Sequence, residues 1–83
     1  MECRRLGDSG VALSCLCLGT WPFGSDRWWG HQDDRLSYDV MERALDRGVI
    51  CFDTAPVYGR GHAEEVIGGF CAQPGVRERV VIA

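Results

Sequence analysis

The run Val49-Ile50-Cys51-Phe52-Asp53-Thr54-Ala55-Pro56-Val57-Tyr58-Gly59 carries the chain from an apolar segment into a carboxylate and, five residues on, a phenol. The four apolar residues Val49 to Phe52 read as a buried strand and need no functional explanation. Asp53 stands where that run gives out, and acidic side chains are seldom buried unless paired or hydrogen-bonded. Two readings fit these residues alone. Either Asp53 caps the loop and Tyr58 packs on it, or the strand ends at the mouth of an active site equipped with two ionisable groups.

The residues on the N-terminal side of this run define its setting. From Asp34, apolar side chains recur every three or four positions: Leu36, Val40 and Ala44, with Met41 and Leu45 beside them. Arg35, Asp39, Glu42, Arg43, Asp46 and Arg47 take the other face, which predicts an amphipathic helix stopped by Gly48. Upstream, Ser14-Cys15-Leu16-Cys17-Leu18-Gly19 reads as a short strand covered on both faces. Strand, helix and strand in this order make a βαβ unit, hence a parallel sheet with a right-handed crossover.

The remaining segments extend the pattern. Arg4–Leu6 and Val11–Ser14 flank Gly7-Asp8-Ser9-Gly10, a turn composition that predicts a β-hairpin. Gly19-Thr20-Trp21-Pro22-Phe23-Gly24 interrupts regular structure while keeping two aromatics, as a lid over the core or a wall of a ligand pocket would. Adjacent Trp28 and Trp29 do not suit joint burial. After Tyr58, residues 63–72 read as a second helix with Glu64 and Glu65 in its first turn and Val66, Ile67 and Phe70 on its buried stripe. Within it, Gly68 and Gly69 each weaken the helix by ~1 kcal/mol relative to alanine unless close packing needs the space. Residues 79–83 form a third apolar strand.

Composition excludes several functions. A net charge of −3 with dispersed arginines provides no basic face for nucleic acid or an anionic membrane, and no apolar run is long enough to span a bilayer. The N-terminus lacks a signal-peptide core, so a cytoplasmic location is expected. All nine basic residues are arginine. The five cysteines are odd in number and show no CxxC pairing, which points to buried reduced thiols. Cys15 and Cys17, if on one strand, share a face as small hydrophobes. His31 with Asp33 and Asp34 resembles a loose metal cluster, but aspartates just ahead of a helix are first of all caps. A small metal protein built on the cysteines with His31 and Asp33 stands as a minor alternative, and no metal site is assigned.

In this order and spacing, Arg5-Leu6-Gly7 with Ser9-Gly10, Leu18-Gly19-Thr20-Trp21, Ala44-Leu45-Asp46-Arg47-Gly48, Phe52-Asp53-Thr54-Ala55 with Tyr58-Gly59, and Gly61-His62-Ala63-Glu64-Glu65 resemble the N-terminal third of an aldo-keto reductase. The resemblance implies an α/β fold: a hairpin over residues 1–14 plugging the N-terminal end of a (β/α)₈ barrel, and residues 15–83 supplying its first three strands and two helices. A whole barrel takes roughly 250 residues, so the barrel is expected to be incomplete in this chain. Ala63 departs from a common family serine, and a side-chain cap on the second helix is expected to be lost.

For function, the resemblance implies an NADP(H)-dependent reductase of small aldehydes and ketones. Tyr58 would give the proton to the carbonyl oxygen, and Asp53 would share its charge network. Gly19, Thr20 and Trp21 would line the nicotinamide and substrate pocket together with Asp53. A phenol with a reference pKa near ~10 needs a neighbouring cation to act as an acid at neutral pH. In the family that cation is a lysine at the end of the next strand, with a histidine beyond it. Here the chain stops at Val81-Ile82-Ala83, where relatives continue into Thr-Lys, and the isolated chain is therefore expected to be inactive. The alternative is a non-catalytic or channel-associated subunit of the same fold, or self-association through exposed strand edges.

Overall fold

The computed structural model describes residues 1–83. Two short strands open the chain, β1 (Cys3–Arg5) and β2 (Ala12–Ser14), paired antiparallel with Arg4 opposite Leu13. They form the expected hairpin. Gly7 and Gly10 take positive φ in its turn, and the Ser9 hydroxyl donates to the Leu6 carbonyl at 2.6 Å.

The chain then enters a parallel sheet. Strands β3 (Cys17–Gly19), β4 (Cys51–Asp53) and β5 (Val81–Ile82) lie side by side in that order. The register sets Gly19 opposite Asp53 and Phe52 opposite Ile82. Between β3 and β4 runs helix α1 (Asp34–Asp46), and between β4 and β5 helix α2 (His62–Cys71). Parallel neighbours joined through helices are the βαβ arrangement predicted from the periodicity.

The core forms where the helices meet the sheet. Phe52 is fully buried and packs with Met41 and Leu45 of α1 and with Ala63, Val66, Ile67 and Phe70 of α2. The Phe52 and Phe70 rings lie 6.3 Å apart, and Tyr38 meets Phe70 edge-on at 5.7 Å. The buried row of α1 is Ser37, Met41 and Leu45, a spacing of four, and not the row through Leu36. Leu36 remains 52% exposed. Ser37 can replace an apolar residue there because its hydroxyl accepts the Gln32 side-chain N–H at 2.9 Å.

Helix ends follow local chemistry. The Asp33 carboxylate accepts the Arg35 N–H at 2.8 Å and is the N-cap of α1. Gly48, at φ 86, leaves the helix in the left-handed region. Helix α2 has Gly61 at its N-cap and no side-chain cap. Instead, His62 Nε2 contacts Asp34 Oδ1 at 2.7 Å and joins the first turns of the two helices.

Two further expectations are corrected. The run Ser14–Gly19 is not one strand covered on both faces: Ser14 closes β2, Cys15 and Leu16 form a bend, and only residues 17–19 pair with β4. The Cys15 N–H is taken by the Glu2 carbonyl at 2.8 Å, so the hairpin competes with the sheet for this stretch. With a pairing partner on one side only, β3 leaves Cys17 exposed. Nor are all five thiols buried. They are free, but Cys3, Cys15 and Cys17 are exposed and only Cys51 and Cys71 are enclosed. Cys15 lies against the Met1 sulfur at 3.3 Å, off the strand and away from any shared face with Cys17.

Ser14 anchors the hairpin to the barrel strands. Its hydroxyl accepts the N–H groups of Ile50 at 3.0 Å and Cys51 at 3.4 Å and donates to the Leu16 carbonyl at 2.6 Å. The contact falls where β4 begins, which sets the hairpin at the N-terminal end of the sheet. The opposite end is left for the loops that carry Trp21 and Tyr58. No helix is long and apolar enough to cross a membrane.

Candidate active site

Parallel strands all end on one edge of the sheet, and there the polar residues of this chain gather. Gly19 ends β3 and Asp53 ends β4, side by side in register. The next residue, Thr20, is wholly buried and binds across the two strands: its N–H and its hydroxyl both donate to the Asp53 carbonyl, at 3.2 and 2.8 Å. Thr20 thus faces the adjoining strand. The backbone of Asp53 is held in this way, while its carboxylate lies exposed with no ion-pair partner in the chain.

Beyond Thr20 the chain makes a short 3₁₀ turn, Trp21–Gly24, helped by Pro22 at its start. Phe23 points into the core at 2% exposure, whereas Trp21 remains 40% exposed. The two aromatics of this loop therefore divide the roles considered for it: Phe23 covers the core, and Trp21 faces outward above the sheet edge. Beyond β4, a second turn, Tyr58–Gly61, brings Tyr58 against Trp21. Their ring centroids are 5.7 Å apart and their planes 13° from parallel. Trp29 closes on the other edge of Trp21, at 5.8 Å and 70°. Trp28 and Trp29 are both exposed, in line with the reading that adjacent tryptophans do not suit joint burial.

The close approach of the two turns depends on glycine. Gly24 lies directly on the backbone of Tyr58 and Gly59, and Gly59 and Arg60 both adopt positive φ, 60° and 54°. A non-glycine residue in that region is uncommon and carries local strain. Arg60 and Arg27 line an open cavity of about 510 Å³ together with Asp26, Trp28, Val57 and Gly59.

Not every residue singled out in the sequence meets the others. His31 accepts or donates through Nδ1 to Ser25 Oγ at 2.9 Å, Asp33 caps α1, and Asp34 is engaged by His62. No three His, Cys, Asp or Glu side chains converge as a metal ion would require. One residue near the site went unrecognised: Asp26 Oδ1 accepts the Trp28 N–H at 2.9 Å and Oδ2 the Trp21 indole N–H at 3.4 Å. Its signal was the Ser25-Asp26 pair in a glycine-bounded loop, a composition that also suits any Asx turn.

Strands, crossover helices and an N-terminal hairpin define the first units of a (β/α)₈ barrel, with a tyrosine, an aspartate and a tryptophan at the strands' C-terminal ends. The chain belongs to the aldo/keto reductase family, whose sequence pattern it matches over residues 15–83. It is 39% identical over its full length to the aldo-keto reductase YhdN of Bacillus subtilis (strain 168), of which it covers 25%. Among solved structures, it superposes on PA4992 from Pseudomonas aeruginosa, assigned to the aldo-keto reductases, with a TM-score of 0.79 and 45% identity over 96% of this chain and 29% of that one. The glycerol dehydrogenase AKR11B4 from Gluconobacter oxydans gives a TM-score of 0.81 at 37% identity, over 98% of this chain and 24% of that one. The chain thus spans about a quarter of the length of the curated relatives it matches.

Proposed function

We propose that these residues are the opening segment of an NADP(H)-dependent reductase of small aldehydes and ketones, in the cytoplasm, with Tyr58 as the proton donor. One observation supports the reading above the rest: Tyr58 is stacked on Trp21 beside the exposed end of β4, where Asp53 leaves the sheet. The surroundings fit one end of a nicotinamide. Gly19 has open space where a side chain would be, the Asp53 carboxylate is unpaired, and the Thr54 hydroxyl is buried without a partner. Gly19, Trp21 and Asp53 would hold that end, with Thr20 fixing Asp53 from behind. The bound cofactor supplies a hydride to the carbonyl carbon.

The chain's own residues handle the proton. Tyr58 passes its phenolic proton to the carbonyl oxygen as negative charge develops there, and the Trp21 ring fixes the plane in which the phenol sits. Asp53 would act on the proton indirectly: its unpaired carboxylate at the strand end would hold in place a cation supplied by the rest of the full-length protein. The sequence contains no lysine, so the 83 residues alone do not turn over carbonyl substrates. The test is steady-state NADPH oxidation with an aldehyde by the full-length protein. Tyr58→Phe is expected to lower kcat at least ~100-fold, and a variant with undiminished turnover would refute the donor assignment.

A second reading rests on the edges of the sheet. Strands β3 and β5 each have a neighbour on one side only, and Leu16 and Ile82 are 60% and 38% exposed beside them. Such edges template pairing with another chain. Under this reading the segment serves as a binding module, and Tyr58→Phe leaves association, followed by size-exclusion chromatography, unchanged.

A further inference from the structure

Asp26 has no part in the chemistry above, yet its carboxylate reaches the ring on which Tyr58 is stacked. Oδ2 accepts the Trp21 indole N–H at 3.4 Å and Oδ1 the Trp28 N–H at 2.9 Å. The Trp21 ring in turn lies 5.7 Å from the phenol ring and 13° from parallel to it.

The alternatives for this carboxylate are accounted for. It makes no ion pair with the two arginines lining the same cavity. The Arg27 guanidinium instead lies over the Trp28 ring, 4.9 Å from its centroid. A carboxylate only accepts, and here each oxygen is taken by an N–H donor of its own loop. Burial by itself would push the Asp26 carboxyl up. The N–H groups directed at it, those of Trp28 and Trp21 foremost, outweigh it and hold the group below the ordinary aspartate value, so the acceptor stays ionised at neutral pH. Gly24 and Gly59 meet backbone to backbone between the two loops, which leaves no slack for the phenol's turn to shift independently of Asp26's loop.

We propose that Asp26 is a positioning residue for Tyr58: by accepting the Trp21 indole N–H, it fixes the ring on which the phenol stacks at the edge of the sheet. The inference rests on Tyr58 being the proton donor. A displacement of even part of an ångström at a proton donor lowers turnover more than it lowers substrate binding.

The experiment uses the full-length protein with NADPH and 4-nitrobenzaldehyde, comparing Asp26→Asn, Trp21→Phe, the double variant and Tyr58→Phe, with kcat expressed per folded molecule. Trp21→Phe keeps a stacking ring but lacks the indole N–H, so it tests the link even if Asp26→Asn folds poorly. Asp26→Asn is expected to lower kcat about five- to tenfold with KM within about twofold, and Trp21→Phe, which also touches the pocket, to lower kcat by at least as much. The double variant should be no slower than the slower single, because both break one chain of contacts. Both singles should also lose the same near-ultraviolet circular dichroism band from the Trp21–Tyr58 stack, and Asp26→Glu should recover part of the rate.

Losses that multiply in the double variant, or wild-type kcat per folded molecule in Asp26→Asn or in Trp21→Phe, would overturn the proposal. The Tyr58→Phe variant separates the two failures. If it is inactive while Asp26→Asn is normal, only the positioning role falls. If it retains full turnover, the donor assignment falls, and the dichroism band still reports whether Asp26 holds the stack.

Discussion

Gly24 and Gly59 touch backbone to backbone: a β-carbon on Gly24 would lie 2.6 Å from the Gly59 nitrogen and 2.8 Å from the Tyr58 carbonyl carbon. Neither atom belongs to a side chain that could swing aside. The pair locks the turn after β3 to the turn after β4, and the Trp21–Tyr58 stack depends on that lock.

Gly24→Ala should therefore destabilise the protein by ~2 kcal/mol or more, since the added methyl meets backbone. Gly68 offers the opposite case. It is exposed inside α2 with ordinary helical φ and open space around it, so Gly68→Ala should stabilise by ~0.5–1 kcal/mol. Urea unfolding of both variants checks the pair, and equal midpoints would contradict the geometry.

Thr20→Val keeps the size of the side chain and removes its hydroxyl. The Asp53 carbonyl retains the Thr20 N–H but loses the 2.8 Å bond, at an expected cost of ~1 kcal/mol. Thr20→Ser, which retains the donor, should cost less than Thr20→Val if the bond matters more than the methyl. Thermal unfolding would show the order of the two.

Ser14→Ala removes a buried hydroxyl that serves two strand N–H groups and one carbonyl. Leaving these groups without a partner should cost ~1–3 kcal/mol. Faster amide hydrogen exchange at Ile50 and Cys51 in the variant would identify the cause, and unchanged exchange there would argue against it.

The thiol of Cys51 is pushed up to about 11 from an ordinary 9.0, by burial first, then by the hydrogen bond and charge of Cys17 and the charge of Asp53. The unfolded chain releases this proton near the ordinary value, whereas the folded chain keeps it. The folded state therefore binds more protons in between, and stability falls as pH rises from about 9 to about 11. Cys51→Ala should flatten that part of the alkaline unfolding curve. Iodoacetamide should label Cys3 and Cys15 before Cys51 and Cys71, with the order read by mass spectrometry.

The large divisions of the fold were legible because they rest on local chemistry. A turn built on Gly7 and Gly10, the three- and four-residue spacing from Asp34 onward, and Gly48 at the helix end each act over a few residues. The rotation of α1 was less legible. Leu36 and Ser37 differ by one step around the helix, and composition favours burying Leu36. The side that meets Phe52 and Phe70 is nevertheless the Ser37–Met41–Leu45 side, where Gln32 satisfies the serine. The division of Ser14–Gly19 was hidden for a similar reason, because the Glu2 carbonyl that takes the Cys15 amide comes from the far arm of the hairpin.

At the candidate site, sequence pattern located Asp53 and Tyr58 at a strand end, but it could not bring Trp21 onto Tyr58. That stack needs two loops from different βα units to converge, and it is tertiary. Asp26 was obscured by the ordinariness of its surroundings, since a serine–aspartate pair in a loop is explained well enough by turn chemistry. Gly24 and Gly59 look like punctuation in the sequence. In three dimensions they are the surface along which the two loops meet.

The sheet order β3-β4-β5 leaves the outer side of Cys17–Gly19 without a partner in this chain. In a closed ring of eight parallel strands, only the last strand can meet that side. Pairing there would join strands at opposite ends of such a ring, and contacts of that sequence separation carry the largest loop-closure cost.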